Sequence, residues 1–204
     1  ATGGGLTLER SQDGGATWAP VSTRGLPDGQ TVPGSLVGVG KGVFLITTDR
    51  GAYRSADAGV TWQALEGALD SGYVYQLLLL PGRSALLAGT AYGLFASGDR
   101  GALWRQGGAG LPHNSAVLGL LTHPNRPGQI FAFVRAVGAT QASLMLVSRD
   151  GGGTWLPAGP GGAWTDATGW AIDPRDPDRI YVAGINYMAT SKDGGVTWQK
   201  QELS

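Results

Sequence analysis

Polar and apolar positions in this chain fall into short alternating runs, never into the long stripes of a helix. Four runs recur in a fixed order. In the clearest stretch they cover Ser35 to Gly40, Val43 to Thr48, Ala52 to Ser55 and Thr61 to Leu65. Alternation with period two, broken by Gly, Pro and Asp, is the pattern of half-buried strands joined by turns. The plan returns over Tyr73 to Leu80, Ala85 to Thr90, Gly93 to Ala96 and Leu103 to Arg105. It returns again over Val117 to Thr122, Ile130 to Val134, Leu144 to Val147 and Thr154 to Pro157, and last over Thr168 to Ile172, Ile180 to Gly184, Tyr187 to Thr190 and Thr197 to Gln201. The longest apolar run, Leu77 to Leu80, is too short for a buried helix and far short of the ~20 residues of a membrane span. Each unit therefore reads as a sheet of four strands, A to D.

One eight-residue turn, the box, joins strand C to strand D in every unit. It holds Ser11, Asp13, Gly15 and Trp18; then Ser55, Asp57, Gly59 and Trp62; then Ser97, Asp99, Gly101 and Trp104; then Ser148, Asp150, Gly152 and Trp155; and finally Ser191, Asp193, Gly195 and Trp198. The boxes are 44, 42, 51 and 43 residues apart. A repeat of about 40–45 residues with four strands is the signature of a propeller blade. The expected fold is thus all-β: a single β-propeller domain over residues 1–204, with full blades at 35–66, 73–106, 116–158 and 167–203. The fourth blade is longer because its B–C loop, Arg135 to Ser143, is expanded. Residues 1–22 supply only strands C and D, a half blade built from Leu6 to Arg10 and Thr17 to Val21. Its open inner edge invites either upstream sequence or a strand donated by another chain. The alternative is an arc from a larger propeller.

Inside each box the Asp is suited to accept hydrogen bonds from its own turn, with the Ser hydroxyl closing the other side. The invariant Gly implies a positive φ. The preceding position varies (Gly14, Ala58, Arg100, Gly151, Gly194), so ordinary dihedrals are expected there. The Trp should open strand D and bury its ring between sheets, with Trp62, Trp104 and Trp155 the most enclosed. Thr precedes the Trp in four boxes, and Leu103 replaces it in the third. Five equivalent aspartates on five separate units cannot converge on one substrate, so their role reads as structural.

Composition narrows the function. Charge is balanced at 15 basic against 15 acidic residues, which leaves no footprint for nucleic acid or an anionic membrane. With 36 Gly and 42% hydrophobic residues the chain is turn-rich rather than disordered. It has no Cys, hence no disulfide, zinc cluster or thiol nucleophile. No cofactor motif and no metal site is read.

The repeated box, together with Asp173-Pro-Arg-Asp-Pro-Asp-Arg-Ile-Tyr181 and His123-Pro-Asn-Arg-Pro-Gly-Gln-Ile-Phe131, resembles the Asp-box (BNR) repeat family across the whole chain. That family includes sialidases, xyloglucan hydrolases, the sortilin ectodomain and the photosystem II stability and assembly factors. The resemblance implies a propeller in a secreted or periplasmic setting. It does not imply one activity. No Arg-Ile-Pro motif is present, and Glu occurs only at Glu9, Glu66 and Glu202, so the sialidase machinery does not carry over. Xyloglucan hydrolases use a cleft between two propellers, and this chain has at most one.

A glycosidase needs two facing carboxylates. Asp28, Asp70 and Asp166, in links before strands expected to line the channel, are the weak catalytic candidates; as turn residues they have a plainer explanation. Asp173, Asp176 and Asp178 have part of a calcium-loop spacing but lack its Gly and bidentate Glu. For binding, the candidates are Tyr73, Tyr92, His113, Arg135, Trp164 and Tyr187, with Tyr75 and Trp170 nearby, all at D–A links, B–C loops or strand starts. The leading expectation is a non-enzymatic, extracytoplasmic binding or assembly module that meets a protein partner on its D–A/B–C face. The alternative is a carbohydrate-active hydrolase or sugar-binding propeller.

Overall fold

A computed structural model describes residues 6–27, 33–67, 69, 73–82, 85–136, 143–158 and 167–203, with Pro33 and Thr168 described by their backbone alone. Among the described residues every regular element is a strand. β1 (Leu8–Arg10) and β2 (Ala19–Val21) form a two-stranded sheet. The second sheet is β3 (Pro33–Gly38), β4 (Phe44–Thr48), β5 (Gly51–Ser55) and β6 (Gln63–Ala64); the third is β7 (Val74–Leu79), β8 (Leu86–Thr90), β9 (Gly93–Ser97) and β10 (Arg105–Gly107). The fourth holds β11 (Ser115–His123), β12 (Arg126–Ala136), β13 (Ser143–Ser148) and β14 (Leu156–Pro157), and the fifth β15 (Ala167–Ile172), β16 (Ile180–Gly184), β17 (Tyr187–Ser191) and β18 (Gln199–Glu202). In each four-stranded sheet the strands lie in chain order, as an antiparallel meander.

The chain divides into two compact units, Ala1–Ala91 with Phe95–Gln106 and Tyr92–Leu94 with Gly107–Ser204. In the first, Val39, Leu45, Leu77, Leu86 and Ala88 make one core, while Leu6 and Leu8 pack against Leu26, Ile46 and Trp62 in another. In the second, Phe131, Met145, Ile180, Val182 and Ala189 form the core. Central strands carry these clusters: all five residues of β8 are buried. The outer D strands are short and exposed at Gln63–Ala64, Arg105–Gly107 and Gln199–Glu202. Short polar edges discourage pairing with other chains.

Two sequence expectations need correction. The Trp does not open strand D. Each D strand begins one residue later, and at two of the boxes the Trp backbone N–H is engaged outside the ladder: Trp62 donates to Arg24 O at 2.9 Å and Trp155 to Ala109 O at 2.8 Å. These contacts explain the Gly-Leu-Pro links. A Cβ on Gly25 would sit 2.0 Å from Trp62 O, and one on Gly110 would sit 2.3 Å from Trp155 O. Trp burial is also uneven. Trp62 and Trp155 are buried, Trp104 is partly buried against the core, and Trp18 is 61% exposed in the two-stranded sheet.

The second correction concerns the varied box position. Gly14, Ala58, Arg100, Gly151 and Gly194 all have positive φ, from 60° to 84°. The reason is a bond that the pattern did not reveal. This left-handed residue turns its N–H toward the A–B turn of its own sheet or the adjoining start of strand B: Ala58 donates to Gly42 O, Gly151 to Gly128 O and Gly194 to Asp178 O, at 2.8–2.9 Å. Ala58 and Arg100 bear the steric cost of about 1–2 kcal/mol.

Two outcomes follow. Trp155→Ala should destabilise by about 3–5 kcal/mol in chemical denaturation, while Trp18→Ala should change little. Ala58→Gly should stabilise by up to about 1 kcal/mol, since relief of left-handed strain exceeds the added chain entropy.

Candidate functional site

The box turns are hydrogen-bond knots with one pattern. The Ser Oγ donates to Asp Oδ1 at 2.7–2.8 Å in all five. The same oxygen accepts the N–H of Gly15, Gly59, Gly101, Gly152 and Gly195 at 2.7–2.8 Å. Asp Oδ1 accepts the N–H four residues on, and Oδ2 accepts the hydroxyl of Thr17, Thr61, Thr154 or Thr197. In the third box Leu103 keeps the N–H bond to Asp99 but has no hydroxyl to give. The indole N–H of Trp18, Trp104, Trp155 and Trp198 returns to the box Gly carbonyl, and that of Trp62 reaches Ser22 O.

These donors favour the carboxylate. The Thr61 hydroxyl and N–H bring Asp57 down to about 2, and Thr197 does the same for Asp193. Asp13, held first by the Thr17 hydroxyl, and Asp150, held first by the Thr154 N–H, fall lower still, and Asp99 is lowered chiefly by the Leu103 N–H. Every acceptor site so satisfied is spent on the turn. Each box carboxylate is thus bonded within its own turn.

The remaining candidates are scattered. Tyr73 is 60% and Tyr75 42% exposed, and their rings stack at 6.4 Å with 16° between planes. The Tyr73 carbonyl accepts the N–H of Ala91, which joins the start of β7 to the turn between β8 and β9. Tyr92 is 63% exposed in that turn, and His113 is exposed in the link before β11. Arg135 is exposed near the end of β12 and lines a cavity with Trp170. Tyr187 corrects the surface reading: it is buried in the second unit's core, its ring 4.4 Å from Lys200 Nζ, because β17 is the third strand of its sheet and turns that position inward. Asp28, Asp70, Asp166 and Trp164 lie outside the described residues, as do positions 137–142 of the expanded loop.

The acidic run near Asp173 serves a turn and a cross-link. Asp173 Oδ1 accepts the N–H of Arg175 and of Asp176, Asp176 lies 3.5 Å from Arg179 Nε, and Asp178 lies 2.6 Å from Arg126. Sequence reasoning missed this second network. Buried His123 accepts the Asn125 N–H at Nδ1, and Gln129 donates to Gly194 O, lacing the fourth sheet's A–B turn to the fifth sheet's turns. Burial and then the Arg126 charge hold His123 below its usual range. The signal was present in the parallel phrases at 123–131 and 173–181, whose second members face the first. Among the described residues no three His, Cys, Asp or Glu side chains converge as a metal site would require.

Meanders of four strands with inner-strand bulges and outer-turn boxes define a β-propeller. Solved structures agree. The chain is similar to a GH74 enzyme of Niastella koreensis (TM-score 0.75, 18% identity, 98% of this chain and 35% of that one). It is also similar to a GH74 xyloglucanase from Xanthomonas campestris (0.71, 18%, 97% and 34%) and to YCF48 bound to D1 peptide (0.59, 22%, 96% and 60%). It thus spans less than two thirds of the length of each, and at these identities the likeness establishes the fold. No family model matches the chain, and no curated protein does.

The box carboxylates give a pH prediction. The folded pKa of Asp57 and of Asp193 is depressed, so their stabilisation is present above the ordinary 3.8 and is lost as pH falls through about 2. Thermal midpoints should fall steeply between those values, and Asp57→Asn should flatten part of that fall. An equal slope in both proteins would contradict the assignment.

Proposed function

We propose that the chain is a non-enzymatic binding module that meets an extended segment of a protein partner in an extracytoplasmic compartment. The observation carrying this reading is the stacked Tyr73–Tyr75 pair, left exposed at the start of an inner strand. Tyrosine offers a large rigid contact area with a polar tip and is enriched at interfaces. The bulge between Val74 and Gln76 supports the same reading, since the extra residue, Tyr75, is re-aimed out of the ladder. A neighbour of similar fold, YCF48, was solved bound to D1 peptide, which supports this reading. The compartment follows from the Asp-box resemblance.

A sugar-binding or carbohydrate-active role is the second reading. Two neighbours are GH74 enzymes, and exposed aromatic rings also suit a pyranose face. Hydrolysis, though not sugar binding, would require a carboxylate pair, and among the described residues the box aspartates are committed to their turns.

Selection from a displayed peptide library separates the two. Selected peptides should bind the wild-type chain and lose about tenfold or more in affinity with Tyr73→Ala/Tyr75→Ala. A glycan array should stay silent, and xyloglucan should not be cleaved. Array binding abolished by the same double variant, with no peptide selected, would transfer the site to the second reading.

A further inference from the structure

The second unit contains a cavity of about 390 Å³ that neither the boxes nor the tyrosine pair explains. It is bounded by β11 and β12 on one side and β15 on the other. Both inner strands bulge at this level, β11 between Val117 and Gly119 and β15 between Ala167 and Gly169. A bulge adds a residue and increases local twist, which opens the space between neighbouring strands. Glycines then leave it unfilled: Gly119 and Gly169 both line the cavity, and a Cβ on Gly169 would meet no atom within 4 Å.

The walls are apolar and the rim is cationic. Leu118, the bulged residue of β11, faces the space together with Phe133 and Trp170. Trp170 is held from behind by an edge-to-face contact with Phe131 at 6.5 Å. Arg135 lies two residues beyond Phe133 on β12 and so projects to the same face. Among the described residues no carboxylate pairs with its guanidinium, whereas Arg126 and Arg179 both have one.

We propose that this cavity binds a small apolar carboxylic acid, with an aryl or branched alkyl body between Leu118, Phe133 and Trp170 and its carboxylate on Arg135. The volume lies within the range of small-molecule sites. A guanidinium beside aromatic walls matches a planar carboxylate with two parallel hydrogen bonds. Among the described lining residues Arg135 is the one cation, which fits one negative charge and would leave a phosphate group half neutralised. This inference is independent of the partner reading, which rests on a different strand.

The test follows the Trp170 indole N–H in ¹⁵N–¹H spectra of the full chain, assigned with Trp170→Phe. 3-Phenylpropionate, 4-methylvalerate and 3-phenylpropionamide are titrated to about 5 mM, the weak end of specific binding. The acids should shift the Trp170 signal, and the amide should bind about tenfold or more weakly. Arg135→Gln should weaken the acids by about tenfold and leave the amide unchanged. Gly169→Leu should abolish both responses while the rest of the spectrum persists, with Gly169→Val as the milder filling variant should leucine disturb the fold. A Trp170 signal unmoved by either acid, equal affinity for acid and amide, or full binding by Arg135→Gln would overturn the proposal.

Discussion

One serine hydroxyl in each box holds the turn together. It donates to the aspartate and accepts from the glycine amide in the same eight residues. Ser55, Ser97, Ser148 and Ser191 are all buried, so the glycine N–H they satisfy would otherwise face a dry interior. An unmet buried donor costs about 1–3 kcal/mol, a sizeable fraction of the roughly 5–15 kcal/mol by which a domain is stable. The aspartate carboxylate lies on the solvent side of the same knot and stays ionised because hydroxyl and amide donors favour that form. Strand exit, tryptophan placement and the bond to the A–B turn all follow from this arrangement.

Much of this was legible beforehand. Four fixed residues in an eight-residue window identify the turn, and period-two alternation identifies the strands around it. What was not legible depends on contacts distant in sequence. Variation at Ala58 and Arg100 suggested a relaxed backbone, yet a hydrogen bond from the Ala58 N–H to Gly42 O, sixteen residues earlier, holds Ala58 left-handed. Tyr187 sat at a strand start in a surface-like pattern, but its register opposite Glu202 places the ring under Lys200 and inside the core. The inner-strand bulges were invisible because the one-residue phase change that a bulge introduces falls near the strand ends, where too few alternating positions remain to reveal it.

The candidate sites were less legible for a physical reason. Binding surfaces in a repeat fold arise from departures between repeats, and one sequence cannot distinguish a departure with a purpose from drift. Tyr75 and Leu118 occupy the same bulge position in the third and fourth sheets. One carries an exposed phenol and the other faces an apolar cavity. The scaffold thus offers the same backbone device repeatedly and differs in what it displays there.

The boxes also bear on how such a chain came to exist. The hydroxyl, carboxylate and amide bonds of each knot begin and end within a few consecutive residues. Contacts this local close only small loops, so they cost little chain entropy. A gene segment encoding one blade therefore carries its own fastening wherever it is copied. Tandem duplication can lengthen the array without inventing new partners, and each copy is then free to diverge at its inner strand.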